Sequence, residues 1–229
     1  PALLCVNPIA AQSIIDQVEH NYVDNEGVSI HYAKMGSGPL MVFIHGFPDF
    51  WFSWRNQMTG LADDYTVAAL DTRGYNLSDK PEGEENYDMA LLTADVAAVI
   101  NAEGETSAII VGHDWGGGIA WSFAAAYPQM TDRLIILNLP HMKGLQRELA
   151  TMGQQHSNSQ YARNFQQPDS HENISPDGLA MMLSQGDEVL REIYLAAFKN
   201  SSTDSMMNYY RRNYPREPYD EGPWAELPR

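Results

Sequence analysis

Residues 108–120, Ala-Ile-Ile-Val-Gly-His-Asp-Trp-Gly-Gly-Gly-Ile-Ala, decide how the rest of the chain is read. Ile109, Ile110 and Val111 form a short β-branched run of the kind buried strands use. The run enters Gly112-His113-Asp114-Trp115-Gly116, and helical spacing follows at once. Strand, glycine-flanked turn and helix are the setting of a nucleophile elbow. Small residues two before and two after the central one let the chain turn sharply and hold that side chain in a strained, exposed position. An elbow serine or cysteine suits acyl transfer. Asp114 instead offers a carboxylate, which can attack an alkyl carbon and remain as an ester on the protein. The competing reading is a chance glycine-rich turn or a weak nucleotide loop. The latter lacks a Gly-Lys-Ser/Thr ending or a full Gly-x-Gly-x-x-Gly.

Working outward, Val23 to Met35 reads as a hairpin about Asn25-Glu26-Gly27. Leu40 to Ile44 is a continuous apolar run, as in a strand buried on both faces. It ends in His45-Gly46-Phe47-Pro48, and an aromatic cluster opens a helix near Trp54 to Leu61. Tyr65 to Leu70 is the next strand, ending in Asp71-Thr72-Arg73-Gly74. Met89 to Asn101 has helical spacing, Trp115 to Tyr127 is the helix after the elbow, and Leu134 to Leu139 reads as one more buried strand. The order β-β-β-α-β-α-β-α-β predicts an α/β fold with a mostly parallel sheet flanked by helices. Its active groups are expected at the carboxyl ends of the parallel strands.

From His141 the character changes to polar, methionine- and glutamine-rich helical segments: Lys143 to Gly153, Ser175 to Gly186, Val189 to Asn200 and Thr203 to Asn213. These read as an inserted helical cap, and Pro215 to Pro228 as the linker that leaves it. The expected divisions are 1–17 as an N-terminal extension or signal-peptide remnant, 18–140 as the core, 141–222 as the cap and 223–229 as the return to the core.

The chain has 229 residues and a formal net charge of −16, which argues against nucleic acid or an anionic membrane surface as partner. A neutral or apolar small molecule fits better. Cys5 is the only cysteine, so neither an internal disulfide nor a cysteine-based zinc site is expected. No metal or organic cofactor is implied, since no His-x-x-x-His or paired-carboxylate cluster has ligand spacing. Ala2 to Ala11 is apolar and ends in small residues. The compartment therefore stays undecided between cytoplasm and export, with a slight lean to export.

Taken together, His45-Gly46-Phe47-Pro48, Arg73 to Pro81, Gly112 to Gly117 and Asn138-Leu139-Pro140-His141 resemble the epoxide hydrolases of the α/β-hydrolase fold, and also the haloalkane dehalogenases. The cap segments Tyr161 to Pro168 and Asn208 to Asn213 add to the likeness. The resemblance implies Asp114 as nucleophile, with Tyr161 and Tyr210 holding the epoxide oxygen; Tyr209 is the alternative for the second. Phenols suit this task because opening an epoxide leaves an alkoxide that needs a proton donor. The resemblance implies an oxyanion hole built from the backbone N–H groups of Phe47 and Trp115, with Pro48 as turn-former through a cis bond. His45, Pro48, Asp49, Phe50, Trp51, Phe165 and Tyr209 are the expected substrate-binding residues. His113 reads as a supporting or core histidine, and Asp71 is expected to pair with Arg73.

By the same resemblance, a histidine base and an orienting acid follow the cap. None of the seven histidines lies there, and the site some dehalogenases use for the acid is Asn138. The expectation is that roughly 70–80 residues of a complete enzyme, including its C-terminal strands, are absent. The chain as given should then bind an epoxide, or be alkylated by one, without turning over, and should be poorly soluble or swapped. Its partners are expected to be a neutral epoxide and water, and a homodimer is left open. Two other functions remain in view, a haloalkane dehalogenase and a non-catalytic ligand-binding protein on the same fold.

Overall fold

The computed structural model describes residues 14–219. Ala2 to Ala11, most of the 1–17 extension, and the 223–229 segment lie outside the described residues. A six-stranded sheet has the order β1-β2-β4-β3-β5-β6. Its strands are β1 (Glu19–Asn25), β2 (Val28–Met35), β3 (Leu40–Ile44), β4 (Thr66–Leu70), β5 (Ala108–His113) and β6 (Thr131–Leu137). β1 and β2 form the expected hairpin, β2 runs antiparallel to β4, and β4, β3, β5 and β6 are mutually parallel. The hairpin turns through Glu26 and Gly27, both with positive φ, and the Gly27 N–H donates to the Asp24 carboxylate. That is the backbone a two-residue turn between twisted strands requires.

Helices α1 (Arg55–Leu61), α2 (Met89–Ala102) and α3 (Trp115–Ala126) flank the sheet. All five residues of β3 are buried, as its unbroken apolar run demands. Its neighbours are β4 on one side and β5 on the other, so the chain reverses its direction of travel across the sheet at β3. The crevice beyond the carboxyl ends of β3 and β5 is where such a sheet binds ligands. Ile44 stands beside Gly112 in the register, which brings the loop after β3 against the elbow after β5.

β6 departs from the expectation of a buried strand. It alternates between partly covered and exposed residues, with Ile135 44% and Leu137 38% exposed. Among the described residues it pairs only with β5, so its outer side has no covering element.

The segment expected to form a cap is helical, with α4 (Met142–Ala150), α5 (Gln154–Asn158), α6 (Gln160–Phe165), α7 (Pro176–Ser184), α8 (Glu188–Asn200) and α9 (Thr203–Asn213). The two short helices α5 and α6 have no counterpart in the sequence reading, because runs of five and six residues are too short to show a helical period. Helices α7, α8 and α9 begin at Ser175, Asp187 and Ser202, whose side chains each accept a backbone N–H of the first turn. Of the expected linker Pro215 to Pro228, residues 215–219 are described. Tyr219 is buried, and its carbonyl accepts the Gln146 side-chain N–H at 2.6 Å.

α9 is fastened to the core at several points. The Tyr209 hydroxyl donates to the Arg73 carbonyl at 2.7 Å, Ser202 N–H to Gly74 O at 3.1 Å, and Asn213 Nδ2 to Tyr87 O at 2.8 Å. Arg212 also pairs with Asp88. The core loop that receives these contacts is held by Arg73, whose partner is Asp95 and not Asp71. Arg73 Nε and Nη2 reach the two Asp95 oxygens at 2.8 and 2.7 Å. Asp71 is occupied elsewhere, accepting from Trp51 N–H at 2.9 Å, Asn76 Nδ2 at 2.8 Å and meeting His31 Nδ1 at 2.7 Å.

Candidate active site

The elbow is a packing solution as much as a chemical one. Asp114 sits at φ 52° and ψ −123°, a conformation that costs an L-residue energy and survives only where its surroundings enforce it. A Cβ on Gly112 would lie 2.2 Å from the Gly116 carbonyl oxygen, and one on Gly116 would lie 2.0 Å from that of Ile44. A Cβ on Gly46 would strike the Asp114 Cβ at 2.3 Å. Strand, elbow and the loop after β3 therefore interlock through three glycines that have no room for a side chain.

This close approach delivers the Phe47 N–H to Asp114 Oδ1 at 2.9 Å. The Trp115 N–H also bonds the carboxylate. Burial pushes the Asp114 carboxyl up from its ordinary value, while these two donors and nearby His113 pull it back. Backbone N–H groups so aimed stabilise negative charge at this oxygen. The Phe47–Pro48 bond is cis, as the resemblance implied.

Above the carboxylate lies a small cavity, about 330 Å³ of empty space with its mouth included. It is lined by Asp114, Trp115, Gly118, Leu139, Met142, Leu145, Tyr161, Tyr210 and Tyr214. Asp114 is thus the only acidic residue of a largely apolar and aromatic wall. Tyr161 on α6 is half-exposed, whereas Tyr210 on α9 is buried, with its ring 5.0 Å from that of Trp115 and 6.4 Å from that of Tyr161. Burial and then the charge of Asp114 raise both phenols, Tyr161 to about 12 and Tyr210 well above its ordinary value. Both therefore stay protonated at neutral pH and can donate. Tyr209, the alternative, faces the other way: its hydroxyl is spent on the Arg73 carbonyl, and burial again raises it.

Of the remaining expected contacts, Phe165 packs beside the site, its ring tilted against Phe47 at 5.3 Å and edge-on to Tyr210 at 5.0 Å between centroids. His45, Pro48, Asp49, Phe50 and Trp51 are not in the cavity wall. His45 is buried behind the loop with both ring nitrogens engaged. Pro48 is buried at the turn. Phe50 and Trp51 line a separate cavity with His20 and Ile193, and Asp49 lies near Arg55 and Tyr194. Asp49 accepts the Phe50 N–H at 3.0 Å, and burial raises its carboxyl to about 7. Asp49, Phe50 and Trp51 leave the wall because the chain after Pro48 runs on into the 3₁₀ turn Trp51–Trp54.

The sequence reading missed Leu139, Met142, Leu145 and Tyr214 as lining residues. The available signal was the apolar stripe of α4, in which Met142, Leu145 and Leu149 recur at helical spacing. Among the described residues no group of three or more His, Cys, Asp or Glu is arranged to hold a metal ion. Nor is any described helix long and apolar enough to cross a membrane.

The pattern of the alpha/beta hydrolase fold family matches residues 39–220. The chain belongs to that family. Epoxide hydrolase 1 of Caenorhabditis elegans is 44% identical over 151 residues, which are 65% of this chain and 37% of the relative. The AB hydrolase superfamily protein YfhM of Bacillus subtilis is 41% identical over 158 residues, 68% of this chain and 55% of the relative. The chain thus spans between about a third and somewhat over half of these curated relatives. Among solved structures, an epoxide hydrolase of Bacillus megaterium in complex with an inhibitor superposes with a TM-score of 0.80 at 37% identity. That match covers 88% of this chain and 75% of the other. In this member of the family Asp114, Tyr161 and Tyr210 line one cavity.

Proposed function

We propose that the chain carries the nucleophile, oxyanion hole and proton donors of an epoxide hydrolase that forms an alkyl ester on Asp114. The observation that carries this reading is one cavity whose wall holds Asp114, already hydrogen-bonded by Phe47 N–H, together with Tyr161 and Tyr210. The names borne by the relatives support the substrate class.

A carboxylate oxygen of Asp114 attacks an epoxide carbon; the C–O bond to that carbon breaks, and its electron pair passes to the ring oxygen. Tyr161 or Tyr210 delivers the proton, leaving a β-hydroxyalkyl ester and a phenolate that water reprotonates. Hydrolysis of the ester would add water at the carboxyl carbon, with the oxyanion held by the N–H groups of Phe47 and Trp115. That step needs a general base, and among the described residues lining the cavity there is no histidine. We propose that the ester is the species this chain accumulates.

Incubation with excess styrene oxide tests this by intact mass and peptide mapping. A single adduct on Asp114, absent in Asp114→Asn, is expected. No adduct, or one that persists in the variant, refutes the nucleophile. Repeated diol formation by this chain refutes the arrest at the ester. Halide release from 1,2-dibromoethane without epoxide adduct would favour a haloalkane dehalogenase instead.

A further inference from the structure

We infer that His45 is a positioning residue that sets the orientation of the oxyanion-hole peptide by donating its Nδ1–H to the Gly46 carbonyl. This deepens the proposed function and rests on its use of the Phe47 N–H. The carbonyl of Gly46 and the N–H of Phe47 belong to one planar peptide unit, so fixing one end of the plane aims the other. At one end, His45 Nδ1 lies 3.0 Å from Gly46 O, and the Asp49 N–H donates to the same oxygen at 2.8 Å. At the other end, Phe47 N–H meets Asp114 Oδ1 at 2.9 Å.

The tautomer follows from the partners. The Thr72 N–H, which can only donate, lies 3.1 Å from His45 Nε2, so Nε2 carries the lone pair and Nδ1 the proton. Thr72 Oγ1 is also 3.1 Å from Nε2. The ring is buried, Tyr75 packs edge-on against it at 4.8 Å, and burial lowers its pKa, opposed by the bond to Gly46. His45 is therefore a neutral bridge from the end of β4 to the loop after β3. A flipped Gly46–Phe47 peptide would point its carbonyl oxygen at the Asp114 carboxylate and lose the contact to His45. Hydrogen bonds in series through one amide also polarise it, strengthening the Phe47 N–H as a donor.

The experiment is a carboxyl-¹³C NMR titration of Asp114 in the full chain and in three variants, with ¹⁵N spectra of His45 in the wild type. The wild type is expected to show Nδ1 protonated and Nε2 bare; the reverse tautomer overturns the inference by itself. His45→Ala should move the Asp114 midpoint upward by about one pH unit, the size of one lost charge-assisted hydrogen bond. His45→Asn keeps a donor near the Nδ1 position and should titrate close to the wild type. His45→Gln reaches toward Thr72 instead and should shift as His45→Ala does. Equal midpoints in Asn and Gln overturn the assignment, and that contrast decides the matter if His45→Ala does not fold. Labelling by styrene oxide in the same samples is read separately. Midpoints that fall in the expected order across the variants, beside a wild type that takes no label, refute the epoxide reading and support the positioning role.

Discussion

Replacing Arg73 by methionine should destabilise the protein by an amount that depends on pH in a calculable way. Arg73 and Asp95 are both buried, and the guanidinium contributes two bonds to Asp95 and one to the Asn86 carbonyl at 2.7 Å. Burial opposes the Arg73 charge, yet Asp95 holds it above its ordinary value. Without Arg73, the Asp95 carboxylate keeps only the Asn25 side-chain N–H, at 2.7 Å. Breaking one partner of such a pair typically costs about 3–5 kcal/mol. The variant can limit that cost by protonating Asp95. At pH 7 protonation of a group with an ordinary carboxylate pKa near 3.9 costs about 4 kcal/mol, at ~1.4 kcal/mol per pH unit. At pH 5 the same step costs about 1.5 kcal/mol. The folded-state pKa of Asp95 in the variant is raised, so its stability falls as pH rises from about 4 toward neutrality. Burial already raises Asp95 in the wild type, so urea denaturation of wild type and Arg73→Met should give differences of at most about 1.5 kcal/mol at pH 5 and about 4 kcal/mol at pH 7, the larger at pH 7. Arg73→Met with Asp95→Leu should recover most of the loss at pH 7, since no charge is then left buried. A difference that does not change with pH, or a double variant as unstable as the single, would refute the reasoning.

Three further outcomes are expected. Tyr210→Phe and Tyr161→Phe should each slow labelling of Asp114 by styrene oxide by about 10²-fold or more, the usual scale for one proton donor. Tyr209→Phe should leave the labelling rate within a few-fold and instead lower stability by about 1 kcal/mol, for the lost bond to Arg73; stopped-flow labelling and thermal melts separate the two. Gly116→Ala should abolish labelling, because its Cβ meets a backbone oxygen at 2.0 Å and no side chain can yield there; retained labelling would contradict the interlocked elbow. Asp49→Asn should stabilise the fold at pH 8 and not below pH 4. The Asp49 carboxyl is raised to about 7, so its ionisation costs stability increasingly between about pH 4 and pH 7 and fully above it. Thermal melts at the two pH values check the sign.

Much of the architecture was legible in local residue patterns. The unbroken run Leu40 to Ile44, the turn at Glu26-Gly27 and the elbow at Asp114 each follow from steric and burial rules that act over a few residues. The glycines of the elbow are readable for the same reason, since they answer a demand of the backbone itself. Asp114 and the two backbone N–H groups that bond its carboxylate, those of Phe47 and Trp115, lie within those motifs.

Partner choice did not. Asp71 is two residues from Arg73 in sequence, but the residue that pairs with Arg73 is Asp95, brought in by α2 from 22 positions away. Successive helical residues point about 100° apart. Tyr209 and Tyr210 are therefore told apart only by which face of α9 rests on the core loop. Tyr209 is turned to Arg73 and Tyr210 to the cavity. His45 likewise stands in a motif beside the site, yet its two nitrogens bind Gly46 and the Thr72 backbone, and that bridge exists only once β3 and β4 lie side by side. Local sequence determines which groups are available and where the chain must turn. The packing of elements distant in sequence decides which way each side chain points, because direction relative to a neighbour is defined only after the neighbour has arrived.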